Sequence, residues 1–401
     1  MVFKGLTLGV PREIMEHEFR VSAIPETVAK FIAQGARVLV ETGAGTAAHH
    51  YDDIYRNAGA EIVADSATVF ERSDIILKVK EPQFDTRKNR HEVTMMKRGQ
   101  AIVAFLHPAS PANHQMVRDL AAKGVVSFTL DGVPRLTNAQ PMDALTSMST
   151  VAGYKGVIMA ADQLGCFMPL TNTAVGMVSP AQVFVVGAGV AGLQALATAK
   201  RLGSVNFAAD IRPEAMEQAK SLRAQIVETG VPAHVATGTD GYAKALPREW
   251  LLREQEAIQK TVCQSDVVIL SALVPGRIAP VLVSEEMVRG MKPGSVIVDI
   301  AIDQGGNCAL TKPGCTDVNH AVTIIGAKNI PGYVPQSASW LFAHNLYNFV
   351  LYLVCDGVVR ADRTDEIIGP TLVTLNGEVV HAGALEAMAQ CSEKKGATSC
   401  T

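Results

Sequence analysis

Runs of β-branched and apolar residues recur along the chain at spacings that read as buried strands: Thr7 to Val10, Arg37 to Glu41, Ile75 to Lys80, Ala101 to Leu106 and Val125 to Leu130. The segments between them read as helices. Pro25-Glu26 opens one and Gly35 closes it, because proline suits a first turn and glycine a left-handed exit. A helical stretch from about Asp143 to Leu164 leads to a second series: Val183 to Val186, Val205 to Ala209, Val267 to Leu270, Val296 to Ile300 and Val322 to Ile325. Strands alternating with helices imply an α/β chain with parallel, doubly wound sheets.

Beyond Ala327, Asn329-Ile330-Pro331-Gly332 precedes an apolar helical run, Ser337 to Cys355. It is too polar at His344, Asn345 and Asn348 to span a membrane and reads as an interdomain helix with the first unit as its partner. His344 reads as a satisfied interdomain histidine. Leu372 to Val380 carries Asn376-Gly377 between strand residues, a hairpin signal. The last dozen residues read as a disordered tail. The expected organisation is residues 1–142 plus 327–401 as one domain and 143–326 as the other, so the chain crosses between domains twice, which suits hinge closure.

Composition narrows the function classes. Lys+Arg 36 against Asp+Glu 39 gives a net charge of -3, which offers no electrostatic footprint for nucleic acid or an anionic membrane. Hydrophobic content of 48% excludes a largely disordered chain. The seven cysteines are widely spread with no C-x-x-C, and read as reduced thiols of a cytoplasmic protein. The N-terminal run has no signal-peptide core, so this reads as the mature start. Val183 to Ala199 is strongly apolar, but is too short and too glycine-rich at its start for a membrane span. No metal is expected: His49-His50 with Asp52-Asp53 lacks zinc-site spacing and reads as a loop at a helix start. Cys308 and Cys315 have no partner base and read as inert.

The strongest chemical signal is Gly187-Ala188-Gly189-Val190-Ala191-Gly192, placed directly after a strand and at the mouth of a helix. The first glycine permits a tight turn, the second lets the backbone approach a pyrophosphate, and the third allows close helix packing, with the helix N-terminus attracting phosphate charge. Asp210 follows Gly192 at the end of the next strand, where a carboxylate bonds the adenosine ribose of NAD and repels the 2'-phosphate of NADP. Arg212 nearby could accept that phosphate, but Asp210 should dominate. The cofactor expected is NAD, held by a Rossmann-like domain, with the cofactor cleft between the two domains.

Together with Ser271-Ala272-Leu273-Val274-Pro275-Gly276, Ala279-Pro280 and Asp299-Ile300-Ala301-Ile302-Asp303-Gln304, this loop resembles the alanine dehydrogenase and pyridine nucleotide transhydrogenase superfamily. The resemblance runs from Val10-Pro11-Arg12-Glu13 to His381. Val133-Pro134-Arg135, Ala139-Gln140 and Met142-Asp143 are similar to the Arg-Gln-Asp nicotinamide loop of the proton-translocating transhydrogenase alpha subunit. Asp240-Gly241-Tyr242-Ala243-Lys244 is similar to its mobile loop. The resemblance implies that Arg135, Gln140 and Asp143 hold the nicotinamide ribose and carboxamide, that Thr146 keeps a hydroxyl where the family often has serine, and that Tyr242 closes over the site. It places Gly187, Gly189, Val190, Gly192, Asp210, Arg212, Gly241, Ala272 and Leu273 at the cofactor. It also implies a homodimer or higher homo-oligomer, an NADP-binding domain and membrane subunits as partners, and a position at the periphery of a membrane complex.

A second set points elsewhere. Glu18-Phe19-Arg20-Val21, Lys78-Val79-Lys80-Glu81-Pro82, Phe105-Leu106-His107 and Ile302-Asp303-Gln304 resemble the alanine dehydrogenase substrate site. There Arg20 and Lys80 would clamp a small carboxylate, His107 would act as general acid/base, and Asp303 would assist proton transfer. Three readings stay open: a transhydrogenase component that has inherited these residues as structural ion pairs, a self-contained amino acid dehydrogenase, and an NAD-responsive binding module. Tyr154 reads equally as a packing residue at the domain hinge or a cofactor contact.

Overall fold

The computed structural model describes residues 1–238, 243–274 and 278–398, with side chains as far as Cys391. The chain forms two compact units, Met1–Met148 with Gly332–Thr401, and Ser149–Pro331. In the first, β1 (Thr7–Val10), β2 (Arg37–Glu41), β3 (Glu61–Val63), β4 (Ile75–Lys80), β5 (Ala101–Phe105) and β6 (Val126–Thr129) lie parallel in the order 3-2-1-4-5-6. Helix α1 (Pro25–Ala33) links β1 to β2, and Gly35 at φ +95° makes the left-handed exit. The order reverses between β1 and β4, the position at whose carboxyl ends such sheets bind ligands.

The second unit repeats the plan. After α2 (Ala144–Gln163), β7 (Gln182–Val186), α3 (Val190–Arg201), β8 (Val205–Ala209), β9 (Gln225–Ile226), α4 (Arg248–Gln264), β10 (Val267–Leu270), β11 (Val296–Asp299), β12 (Thr316–Asn319) and β13 (Val322–Ile325) follow. The spatial order is 9-8-7-10-11-13-12, parallel except for β12 at the edge. Val183, Val185, Val267, Ile269, Val296 and Val298 pack in one cluster, and Phe184, Val186, Val268, Leu270 and Ile297 in another. Burial on both faces is why these strands read as unbroken apolar runs rather than alternating ones. The apolar stretch from Val183 to Ala199 therefore divides into strand, glycine turn and helix.

The chain then returns to the first unit as α5 (Pro335–Leu353), β14 (Leu372–Leu375), β15 (Glu378–Val379) and α6 (Ala382–Thr398). The Asn376-Gly377 hairpin forms, and β14 joins the sheet antiparallel to β6, with Thr374 Oγ1 bonded to Ser127 Oγ at 2.6 Å and Val125 O at 2.7 Å. Helix α5 belongs to the first unit, the partner expected for it. It sets Phe342 against Phe105 and Phe349 against Phe128 on the sheet, and Tyr347 against Phe31 of α1. Its polar positions have local duties. His344 Nδ1 donates to Trp340 O at 2.7 Å, and its Nε2 lies 3.1 Å from both Glu26 and Lys30, so its partners are not interdomain.

Short strands β3, β9 and β12 and the hairpin Thr171–Thr173/Gly176–Val178 carry too few apolar residues to show as runs. The tail expected to be disordered is helical to Thr398, in keeping with the alanines that lead into it.

Gly153 on α2 sits where a β-carbon would lie 2.0 Å from Ala191 O of α3, so the two helices meet backbone to backbone. Gly153→Ala should lower stability by about 1–3 kcal/mol by overpacking. Gly165→Ala, with nothing within 4 Å, should stay within about 0.5 kcal/mol of wild type. Urea unfolding of the two variants reads the difference, and equal stabilities would remove the close-approach argument.

Candidate functional site

In the second unit the turn after β7 is fixed by lack of space. Gly187 has φ +90°, and a β-carbon on it would lie 2.7 Å from Ala272 N. One on Gly192 would lie 1.9 Å from Gly187 O. Ser271 Oγ donates to Gly187 O at 2.7 Å, tying the end of β10 to the same turn. Gly189 differs. A β-carbon there would meet nothing nearer than Arg212 Nη2 at 3.8 Å, so packing does not require a glycine. Gly189 caps α3 without a side chain, and the open space before the first helical turn fits an approaching phosphate.

Asp210, almost fully buried at the end of β8, faces this turn. Its Oδ2 accepts from Ala188 N at 2.7 Å and Arg212 Nη2 at 2.9 Å, and its Oδ1 from Arg212 N at 2.8 Å and Nε at 3.0 Å. Arg212 thus spends its fork on Asp210. Glu254 on α4 is buried, and burial first, then the Asp210 charge, pushes its carboxyl up to about 7. Ala272 is gripped on both backbone groups by Asn307, whose Oδ1 accepts from Ala272 N at 3.0 Å and whose Nδ2 donates to Ala272 O at 2.9 Å. Leu273 is exposed beside it, and Val190 opens α3. Asp303 accepts from Asn329 N at 3.2 Å. Gly241 and Tyr242 lie outside the described residues.

In the first unit the candidates sit at strand ends. Lys80 ends β4. His107 follows β5 in a left-handed conformation, φ +44°, stacked on Phe105 with ring centroids 5.8 Å apart. Its Nδ1 lies 2.8 Å from Asp131 Oδ1, and its backbone N donates to Asp131 Oδ2 at 2.8 Å. Burial opposes the charged imidazole, but the charge and hydrogen bond of Asp131 outweigh it and raise the His107 pKa, with Lys80 pulling the other way. Asp131 is correspondingly brought down to about 2, where His107 and hydrogen bonding outweigh burial.

Arg20 does not present a bare fork. Its Nε donates to Glu18 Oε1 at 2.7 Å and its Nη2 to Glu18 Oε2 at 2.5 Å, both side chains being buried. Lys78, fully buried, sits 3.2 Å from Glu13 Oε2 and 3.1 Å from Glu92 Oε1. Burial raises Glu13 to about 7 against the pull of Lys78. Arg135 and Gln140 are exposed on a turn that runs into Asp143, which accepts from Thr146 N at 2.8 Å and Thr146 Oγ1 at 2.6 Å at the start of α2. Asn345 and Asn348 of α5 both donate to Pro141 O, at 2.9 and 3.2 Å, and so fix that turn.

Family models for the N-terminal and C-terminal domains of alanine dehydrogenase/PNT match residues 9–152 and 156–382. The chain belongs to the alanine dehydrogenase/PNT family. It is 39% identical over 378 residues to NAD(P) transhydrogenase subunit alpha of Cereibacter sphaeroides, covering 93% of this chain and 71% of that one. It is 31% identical over 388 residues to the alanine dehydrogenase of Bacillus subtilis, with 94% and 93% covered. Among solved structures it is similar to the transhydrogenase of Sinorhizobium meliloti, at TM-score 0.81 and 36% identity over 93% of this chain and all of that one.

Within this alanine dehydrogenase/PNT chain, several site residues were not legible as such. Asp131 is two residues beyond a strand end, and only the fold reveals that it faces His107. Glu254 is one of several acids on a charged helix, which reads as a solvated face. Asn345 and Asn348 did leave a signal, as amides on an otherwise apolar helix.

The His107–Asp131 pair gives a direct test. Asp131→Asn should lower the His107 pKa, read from ring-proton shifts in an NMR titration. The His107 pKa is raised in the folded state, so its contribution to stability is full below about 6.5 and fades as pH rises through the folded value. The Asp131 pKa is lowered, so its contribution is full above about 3.8 and fades as pH falls through about 2. The variant's stability deficit should therefore peak between about pH 4 and 6.5. An unmoved His107 titration would show that Asp131 does not control it.

Proposed function

We propose that this chain is the NAD(H)-binding component of a proton-translocating NAD(P) transhydrogenase, an oxidoreductase that works with an NADP-binding domain and membrane subunits. The observation that carries the reading is the glycine turn: Gly187 and Gly192 are forced by packing, whereas Gly189 leaves open the space a pyrophosphate needs. When bound, NADH supplies a hydride to NADP held on the partner domain. The first turn of α3 takes the pyrophosphate. Asp210 is assigned to the adenosine ribose hydroxyls, the role a carboxylate at this strand end takes toward NAD. Arg212, held by Asp210, keeps that carboxylate oriented. Arg135, Gln140, Asp143 and Thr146 are assigned to the nicotinamide ribose and carboxamide, and Gly241 and Tyr242 to closure over the cofactor. Among the described residues no helix is long and apolar enough to cross a membrane. Self-association as a homodimer or higher oligomer is part of the same reading.

One observation favours a second reading. His107, raised by Asp131 and beside the charge of Lys80, has the properties of an acid/base for oxidative deamination of a small amino acid to a 2-oxo acid, with Asp303 assisting. Against it, Arg20 already holds Glu18 through its Nε and Nη2. The purified chain should therefore bind NADH yet fail to reduce NAD with L-alanine at alkaline pH. Adding a separately prepared NADP-binding component should produce hydride transfer from NADH to an NADP analogue. Turnover with L-alanine alone, lost in His107→Ala, would replace the first reading with the second.

A further inference from the structure

Asn307 is fully buried, and its polar groups are engaged on every side. Its amide oxygen accepts from Ala272 N, and its amide nitrogen donates to Ala272 O and to Pro280 O, the latter at 2.8 Å. Its carbonyl accepts from Leu282 N at 2.8 Å and Val283 N at 2.9 Å. Its own N–H, with that of Cys308, goes to Asp299 Oδ2 at 2.8 and 3.1 Å. Gly305 and Gly306, at φ +108° and +84°, turn these N–H groups toward Asp299, and a β-carbon on Gly306 would lie 2.7 Å from Asp299 Oδ2. Ala272 is in turn the residue against which Gly187 packs.

We infer that Asn307 is a positioning residue for cofactor binding, its amide standing in for a neighbouring strand and holding the Ser271–Val274 loop at the depth the glycine turn requires. The inference rests on the NAD reading of that turn. Only an asparagine of this length offers one acceptor and two donors at once. Aspartate keeps the bond from Ala272 N–H, but turns two donations into repulsion between oxygens. Serine and alanine leave the Ala272 and Pro280 carbonyls without this partner. Asp299 anchors the amide rather than the loop, since it touches only the Asn307 and Cys308 backbone among these groups. Gripping both backbone groups of one residue holds the loop at a fixed depth, which favours a surface that must meet a dinucleotide in one orientation.

The test compares the intact chain with Asn307→Ala and Asn307→Asp by NADH fluorescence titration at several pH values, with circular dichroism and melting temperature recorded for each. Asn307→Ala should remain folded and raise the NADH Kd by about tenfold. In Asn307→Asp the ratio of its Kd to that of wild type should fall as pH falls, because the protonated carboxyl regains one donor. Taking the ratio removes the contributions of distant groups that titrate alike in both proteins, such as Glu254, while Asp299, beside the new carboxylate, titrates with it. Folded variants with wild-type Kd and a flat ratio would overturn the inference. Loss of the fold in both variants would overturn it too, placing Asn307 in the core rather than the loop. Failure of the wild type to bind NADH would instead overturn the cofactor reading, and this inference with it.

Discussion

The absence of room between Val186 and Gly192 governs much of the second unit. There the backbone passes so close to Ser271 and Ala272 that no side chain fits at Gly187, and α3 starts so tightly that none fits at Gly192. That approach fixes where β7 and β10 end at the reversal of strand order and how α3 leaves the sheet. It also points Ala188 N–H at Asp210. Asp299, Asn307 and the two left-handed glycines before it hold the opposite wall. The turn is thus a rigid seat whose single unforced glycine, Gly189, marks the side on which a ligand arrives.

The first unit is organised by a different constraint, the cost of burying charge. Lys78 lies between Glu13 and Glu92, and Arg20 is bound by Glu18. Such pairs roughly balance desolvation against attraction and are severely disrupted when one partner is lost. They make this sheet end a preorganised electrostatic surface rather than a source of net stability. His107 and Asp131 stand at the adjoining strand ends, more open to solvent, with the imidazole held toward its charged form.

Long buried strands and the glycine turn were legible because their signals are local: β1, β2, β4, β8, β10 and β13 have the bounds that their apolar runs set. Strands such as Gln225–Ile226 and Thr316–Asn319 were not, since an edge strand with one buried residue or fewer leaves no periodicity to read. Asp210 could be placed from its distance to the glycines. The engagement of Arg20 by Glu18 could not, because two residues apart in an extended loop says nothing about which way either points. The partners that decide chemistry, Asp131 for His107 and Asn307 for Ala272, are 24 and 35 residues away in the chain and become neighbours only through the sheet order.

On the proposed reading, the turn at Gly187 to Gly192 together with Asp210 selects NADH. Equilibrium titration of the purified chain with NADH and with NADPH measures that selection. NADH should bind at least about tenfold more tightly, with the margin narrowed in Asp210→Ala. Equal affinities in the wild type, or a preference for NADPH, would contradict it.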